Sequence, residues 1–177
     1  MAAIGRRIVT RNDGHGRSGA AIVDEPRVRG ITAEIWRTRE AVALSASERA
    51  IAPLEPPPGG SVFRFFHVMP EGSGPAMSSE ERERLYAHHF ARMGAAHCRP
   101  DTSRHPGMHR TATLDYIMLL SGCVTLLLDD DEIDLEPFDV VVQRATNHAW
   151  VNRSDKPALL MAVLIDHPEA YAGNAAT

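Results

Sequence analysis

The chain has 177 residues, of which 44% are hydrophobic and 24% are charged, and its formal net charge is −4. At this length one domain can bury a sizeable core without disulfide or metal staples. A slightly acidic chain without a basic block is a poor partner for nucleic acid or anionic lipid, and no apolar run reaches the ~18–20 residues of a membrane span. The start of the chain lacks the apolar segment of a secretion signal, and two cysteines make no disulfide framework. We therefore expect a cytoplasmic, single-domain protein over 1–177 that binds a small-molecule ligand and neither nucleic acid nor membrane.

Short β-type runs separated by turn residues occupy the first part of the chain. Runs 7–10, 20–23 and 33–36 are each followed by a polar or turn-forming stretch, which predicts three short strands. Residues 52–60 contain four prolines and two glycines and predict a loop. Residues 61–69 are rich in Val and Phe and predict another strand. Together 1–69 is interpreted as N-terminal strands of the domain.

The hydrophobic period becomes helical over residues 78–93. Ser78 and Glu81 have the spacing of a capping box, and Gly94 stands where a helix commonly ends. One face of this segment carries Leu85, Tyr86, His89, Phe90 and Met93. The pattern predicts one amphipathic helix of about four turns inside an insertion over 70–105. This helix either covers a pocket as a lid or packs on the outside of the domain.

The remaining chain reads as β structure with frequent turns. The predicted strands are 109–120, 123–128, 132–135, 139–143, 148–152 and 158–165. Many short strands joined by tight turns predict a sandwich or a closed barrel. The tail 167–177, rich in Ala and Asn, is predicted to fray.

Two stripes of side chains carry most of the chemistry in these strands. Since side chains alternate between the faces of a strand, every second residue from 109 to 119 points the same way. That stripe comprises His109, Thr111, Thr113, Asp115, Ile117 and Leu119, polar in its first half and apolar in its second. A second stripe comprises His148, Trp150 and Asn152. The two stripes predict a cavity with a polar mouth and an apolar floor.

The residues of these stripes resemble the two motifs of the cupin superfamily. His109, Asp115 and Gly122 follow the spacing of the first motif, and residues 137–148 with Asn152 follow the second. The resemblance covers about 105–165 and implies a small all-β jelly-roll barrel, a double-stranded β-helix, with its core at 106–166 and one helical insertion. It also implies a cavity that often holds a divalent metal and a tendency to form homodimers through sheet edges.

Three positions depart from the family's pattern. Thr111 stands where the first motif has its second His, Asp115 replaces Glu, and Phe138 stands at the second motif's glycine. The remaining ligand types, His109, Asp115 and His148, suit a divalent metal such as Fe, Mn, Zn or Ni. The alternative is a pair of cavity histidines that bind no metal, with Asp115 hydrogen-bonded to a neighbouring threonine.

The resemblance implies a small-molecule enzyme in which His109, Asp115 and His148 are catalytic and Thr111, Thr113 and Trp150 line the pocket. Cupins run oxygenase, decarboxylase, isomerase and lyase chemistry, and the fold does not choose among them. The alternative function is a non-catalytic binding cupin with a degraded metal site. In either case the aromatic and Met content near the barrel predicts a partly apolar organic ligand.

Several other residues are open to a chemical or a packing interpretation. His88, His89, His97 and Cys98 have ligand-type side chains, but their spacing fits no zinc pattern, which favours a helix surface and its connector. His105 is the nearest histidine in sequence that could replace the one missing at Thr111. Trp150, Phe138 and Cys123 are predicted to be buried.

Overall fold

The structure, a computed structural model, describes residues 5–12, 15, 17–26, 28–38 and 52–167, so the predicted frayed tail lies outside the described residues except for His167. The described residues form eleven strands and one α-helix. In chain order these are β1 Arg7–Asn12, β2 Ser18–Asp24, β3 Val28–Arg29, β4 Thr32–Arg37, β5 Ser61–Val68, α1 Ser79–Arg92, β6 Thr113–Ser121, β7 Val124–Leu128, β8 Glu132–Leu135, β9 Val140–Arg144, β10 His148–Val151 and β11 Ala158–Asp166. A short 3-10 helix, Ala96–Cys98, follows α1.

The strands form two larger antiparallel sheets and a separate hairpin. The large sheet has the order β3-β4-β5-β11-β6-β9, the small one the order β10-β7-β8, and β1 pairs with β2. Alternate side chains of the large sheet pack against the small sheet in one core that includes Leu119, Leu126 and Leu160. The predicted all-β jelly-roll class with one helix is confirmed, because each sheet buries one face against the other.

The strand that carries the first stripe begins later than predicted. The run 109–120 forms a continuous strand only from Thr113, while His109 makes an isolated antiparallel bridge with His148. Arg110 donates its backbone N–H to the carbonyl of Cys98 at 2.7 Å, so this residue bonds the 3-10 helix instead of a neighbouring strand. The break leaves His109 fixed to β10 while Asp115 lies within β6.

The predicted capping box is present at the start of α1. Ser78 Oγ accepts the Glu81 N–H at 3.2 Å, and Glu81 Oε2 accepts the Ser78 N–H at 2.7 Å. At the other end Gly94 has a φ of +70° and donates its N–H to the Ala91 carbonyl, which ends the helix. Among the residues that the structure describes, no helix is long and apolar enough to cross a membrane.

Two turns, at Gly122 and at Phe138, have backbone conformations with positive φ, and two residues in or beside them were wrongly predicted to be buried. Gly122 has a φ of +86°, and a Cβ there would lie 2.8 Å from Ala158 Cα, so this turn requires glycine. Phe138 has a φ of 78° but its side chain is 74% exposed, so the prediction that it is buried is wrong. Cys123 is also exposed rather than buried, because it belongs to the turn and β7 starts one residue later.

Candidate functional site

A cavity of about 530 Å³ opens between the two sheets beneath α1. Its floor is apolar and includes Ile117, Ala162 and Leu164. Its roof comes from α1, whose predicted apolar face (Leu85, Tyr86, His89, Phe90 and Met93) lines the cavity. The helix therefore covers the cavity and does not pack on the outside of the barrel.

His109 and His148 meet at the polar end of this cavity. Their ring centroids are 4.3 Å apart, and the two backbones exchange both N–H···O bonds at 2.9 Å. Nδ1 of His109 lies 2.9 Å from the Gly107 carbonyl, and Nδ1 of His148 lies 3.0 Å from the Thr146 carbonyl. Since a carbonyl only accepts, each Nδ1 carries the proton when the ring is neutral, and each Nε2 keeps its lone pair.

Burial keeps both imidazoles neutral. It lowers the pKa of His109, with a smaller lowering from the nearby Arg99 cation and an opposing effect of the Gly107 carbonyl. Burial, followed by the proximity of His109, lowers the pKa of His148 to about 3. The cavity therefore presents two unprotonated Nε2 atoms at neutral pH, which suit a base or a metal ligand.

The carboxyl of Asp115 is buried in the same cavity wall. Its Oδ1 has no hydrogen-bond partner among the described residues. Burial raises the pKa of this carboxyl to about 6, against a hydrogen bond from Thr113 that favours the ionised form. Thr111 Oγ1 lies 2.7 Å from Thr113 Oγ1; Thr111 lines the cavity, whereas Thr113 is buried beside it without lining it. A carboxyl with this pKa can exchange a proton near neutral pH.

Asp115 does not join the two histidines in one ligand cluster. Within the described part of the chain, one group of three His, Cys, Asp or Glu side chains has its ligand atoms all within 4.8 Å of one another, and it consists of Glu55, His97 and Cys98. The imidazoles of His109 and His148 come together, but the third member of the predicted triad stands apart.

His105 does not fill the position left by Thr111. Its Nε2 lies 2.8 Å from Glu71 Oε1, and its Nδ1 accepts the Gly107 N–H at 3.0 Å. Both of its ring nitrogens are engaged in this way. The suggestion that His105 supplies the missing ligand is therefore wrong.

Trp150 contributes to both the core and the cavity. Its ring makes an edge-to-face contact with His148 at 5.5 Å between centroids, and it packs against the main core while lining the cavity. Asn152 is fully buried and donates its amide N–H groups to the carbonyls of Val68 and Lys156. Asn152 therefore holds the backbone around the site.

Arg64 is a cavity residue that sequence reasoning did not single out. It is buried, lines the cavity, and has an Nε without a hydrogen-bond partner. Burial lowers its pKa to about 10, so the guanidinium stays charged at neutral pH. The sequence did contain a sign of this role: in the predicted strand 61–69, Arg64 lies on the same face as the apolar residues Val62 and Phe66.

Comparison with known proteins gives short matches to cupin-domain enzymes. The chain is 35% identical over 68 residues to a cupin-domain-containing oxidoreductase of Aspergillus ruber, a match covering 36% of this chain and 34% of that protein. It is 41% identical over 66 residues to a cupin-domain-containing oxidoreductase of Neurospora crassa, covering 35% and 34%. Phomopsin biosynthesis cluster protein D of Diaporthe leptostromiformis is 52% identical over 48 residues, covering 27% and 25%. The chain thus matches about a third or less of these relatives' lengths, and no family model matches it.

Solved structures of cupin proteins are also similar to the chain. A cupin 2 conserved barrel domain protein of Salinispora arenicola has a TM-score of 0.38 at 17% identity, covering 63% of this chain and 68% of that chain. An RmlC-like cupin of Methanocaldococcus jannaschii, described as a double-stranded β-helix, has a TM-score of 0.39 at 10% identity, covering 64% and 76%. Similarities at this level support no statement about function.

Two facing antiparallel sheets around a histidine-bearing cavity define an all-β jelly-roll barrel. The motif positions of His109, Gly122 and His148 are in place, and over about a third of its length the chain is similar in sequence to cupin-domain proteins.

Proposed function

We propose that this protein is a cupin-type small-molecule enzyme that transfers a proton on a partly apolar organic substrate held in the barrel cavity. The observation that carries the proposal is the pair of neutral imidazoles, whose Nδ1 atoms are held by backbone carbonyls and whose Nε2 lone pairs remain available. His109 is half-buried whereas His148 is 2% exposed, so a substrate meets His109 first. His109 is therefore the proposed base, and His148 positions it.

The composition of the cavity wall supports the substrate class. Tyr86, Phe90 and Trp150 supply aromatic surface, while Arg64 supplies a buried cation. Arg64 and Asp115 both line the cavity, so a cationic donor and a carboxyl are on hand to orient a substrate carboxyl or hydroxyl. A small aromatic or alkyl compound with an acidic C–H and an oxygen function fits these features.

The described residues support only part of the three-ligand metal site that the family resemblance implies. The two imidazoles have the ring orientation of metal ligands, since each Nδ1–H is held by a carbonyl. The predicted three-ligand centre does not fit, because Asp115 is not in one cluster with them. The proposed proton transfer therefore runs through the side chains alone.

The related enzymes are named as oxidoreductases, and cupin chemistry also includes decarboxylases, isomerases and lyases. Proton removal from carbon is a step that isomerisation and lyase reactions share. A single base, His109, and a carboxyl with a pKa of about 6 support these two classes most directly. The second candidate is a non-catalytic binding cupin, favoured by Thr111 at a ligand position and by the separation of Asp115.

A chromogenic substrate that reports proton removal by a base distinguishes the proposed enzyme from the non-catalytic binding cupin. In 5-nitrobenzisoxazole a base removes the proton on C3 while the N–O bond breaks, giving a nitrile and a coloured phenolate. We expect the protein to accelerate this reaction and His109→Gln to slow it by about a hundredfold. His88→Gln, on the exposed face of α1, is the matched control and should keep the parent rate.

Each outcome of this experiment has a clear meaning. Binding of the probe without acceleration, measured by quenching of the tryptophan fluorescence, would support the non-catalytic binding cupin. Equal rates for the parent and His109→Gln would contradict His109 as the base. Elemental analysis of the same samples reports whether a divalent metal accompanies activity.

A further inference from the structure

A second cluster of ligand-type side chains lies outside the barrel cavity. Nε2 of His97 is 2.9 Å from Glu55 Oε2 and 3.5 Å from Cys98 Sγ. All three ligand atoms lie within 4.8 Å of one another. His97 and Cys98 come from the 3-10 helix and Glu55 from the proline-rich loop, so residues 42 positions apart meet here.

We propose that Glu55, His97 and Cys98 form a zinc-binding site that is separate from the barrel cavity. Thiolate, imidazole and carboxylate are the ligands that zinc takes in proteins. A tetrahedral ion with bonds of about 2.3 Å to sulfur and about 2.1 Å to nitrogen places these two atoms about 3.6 Å apart. The observed separation between Cys98 Sγ and His97 Nε2 is 3.5 Å. The Glu55 carboxylate oxygen, now 2.9 Å from the His97 ring nitrogen, needs to move only to about 3.4 Å from it.

The loop that carries Glu55 is held in place before any ion binds. Nη1 of Arg37 donates to the Glu55 carbonyl at 3.0 Å, and Nη2 of Arg64 donates to the carbonyls of Pro53 and Leu54 at 3.0 Å. The Leu54 N–H in turn donates to the Met93 carbonyl at 3.1 Å. Because these bonds fix the backbone on both sides, zinc binding requires little ordering of the loop.

The exposure of the three side chains suits an ion that arrives from solvent. The His97 side chain is 66% exposed and that of Glu55 31%, whereas Cys98 is 1% exposed. An ion can therefore enter beside His97 and reach the sulfur from one side. Three protein ligands leave a fourth position for water.

A catalytic or redox thiol is the other interpretation of this cluster, and its chemistry argues against it. The same His97 nitrogen faces both the thiol and the carboxylate, so the ring cannot pass a proton from one to the other. Cys98 is also only 1% exposed, which leaves its sulfur little access to a substrate or to a larger oxidant.

The position of the site couples it to the cavity roof. Cys98 packs in one cluster with Phe90, and the Phe90 ring lies 5.0 Å from the ring of His109. Zinc at this position would tie the end of α1 to the loop at Glu55. The proposed role is a clamp that fixes the roof of the cavity.

Cobalt titration of the metal-depleted full chain tests the site, because a thiolate ligand gives Co²⁺ a near-ultraviolet charge-transfer band. Among the described residues, no cysteine lines the barrel cavity. A cobalt ion bound at His109 and His148 would therefore give no such band. We expect one Co²⁺ per chain with the band, displacement by Zn²⁺, and loss of the band in Cys98→Ser. His97→Gln, which changes an exposed side chain, should weaken binding by at least about tenfold and covers the case in which Cys98→Ser fails to fold.

Controls separate this site from the cavity. His88→Gln and His148→Gln should keep the band. A parent protein without the band, or one whose Co²⁺ binding is abolished by His148→Gln and unchanged by His97→Gln, would overturn the proposal. The outcome is independent of whether the cavity catalyses proton transfer.

Discussion

At the scale of single residues, the buried imidazole of His148 makes stability depend on pH. An unfolded histidine takes up a proton below about pH 6.5, whereas folded His148 stays neutral down to about pH 3. The unfolded state therefore binds more protons in this window, and the free energy of unfolding falls as the pH falls. We expect the parent to lose about 1.4 kcal/mol per pH unit more than His148→Gln between pH 6 and pH 4. Urea unfolding at several pH values measures both slopes; parallel slopes would contradict a neutral buried His148.

Phe138 is held in a backbone conformation that favours glycine. Its φ is 78°, and its side chain is 74% exposed, so the ring contributes little packing while the β-carbon is strained. Phe138→Gly should therefore raise the free energy of unfolding by about 1 kcal/mol. Phe138→Ala removes the ring but keeps the β-carbon and should give no such gain. Denaturant unfolding of the two variants separates backbone strain from side-chain packing.

The alternation of side chains along strands predicted part of the cavity wall, but it could not predict the distance of Asp115 from the histidines or the position of Glu55. Alternation along β6 was enough to put Asp115 on the cavity side, whereas His109 reaches the cavity through its bridge to His148. Alternation does not give depth along the cavity, so the separation of Asp115 from the imidazole pair could not be predicted. Glu55 could not be placed beside His97 either, because no local pattern links a proline-rich loop to a helix end 42 residues later.

At the scale of elements, α1 depends on its capping box more than on a deep core. Of its residues only Phe90 is buried, so the helix has little packing to replace a lost cap. Ser78→Ala should lower the stability of α1 by about 1 kcal/mol, since it leaves an N–H at the helix start without its acceptor. Hydrogen exchange should show faster exchange in α1 and unchanged exchange in β11.

Ser79→Ala is the matched control for the helix cap. Ser79 is the first residue of α1 and is exposed, so its replacement should leave exchange rates close to those of the parent. Equal exchange for both variants would show that the roof is held by its contacts alone.

The positions of the strands and the helix were largely predictable because turn-forming residues separate them along the chain. Prolines and glycines bounded the predicted loop at 52–60, and the predicted strand at 132–135 agrees with β8. The exception was the start of β6, where Arg110 bonds the carbonyl of Cys98. A hydrogen bond to a distant helix leaves no trace in local hydrophobic periodicity, so the sequence predicted a continuous strand there.

At the scale of the whole molecule, the outer face of the large sheet carries an apolar row across five strands. Residues paired in register along it are Trp36, Phe63, Val163, Tyr116 and Val142. Tyr116 is 44% exposed and Val142 54%, and β9 is an edge strand of the sheet. Homodimer formation stays a prediction, and this row is the surface we expect a second copy to cover.

A charge on the row tests dimer formation. Val142→Glu should shift the protein from dimer to monomer in sedimentation velocity, because pairing would bury an unpaired carboxylate. Ile133→Glu is the matched control, since Ile133 is 47% exposed on the small sheet. A monomeric parent, or equal dissociation by both variants, would contradict this prediction.

The central claim is that His109 and His148 present unprotonated Nε2 atoms inside the barrel, and the ring-nitrogen NMR spectrum tests it most directly. The chain has nine histidines, so the two rings can be assigned in a nitrogen-15 spectrum with His109→Gln and His148→Gln. We predict that both rings are Nδ1–H tautomers at pH 7, that His148 remains neutral at pH 5, and that His109 takes up its proton below the ordinary histidine pKa of about 6.5. An Nε2–H tautomer for either ring, or protonation of both near the ordinary pKa of about 6.5, would contradict the claim.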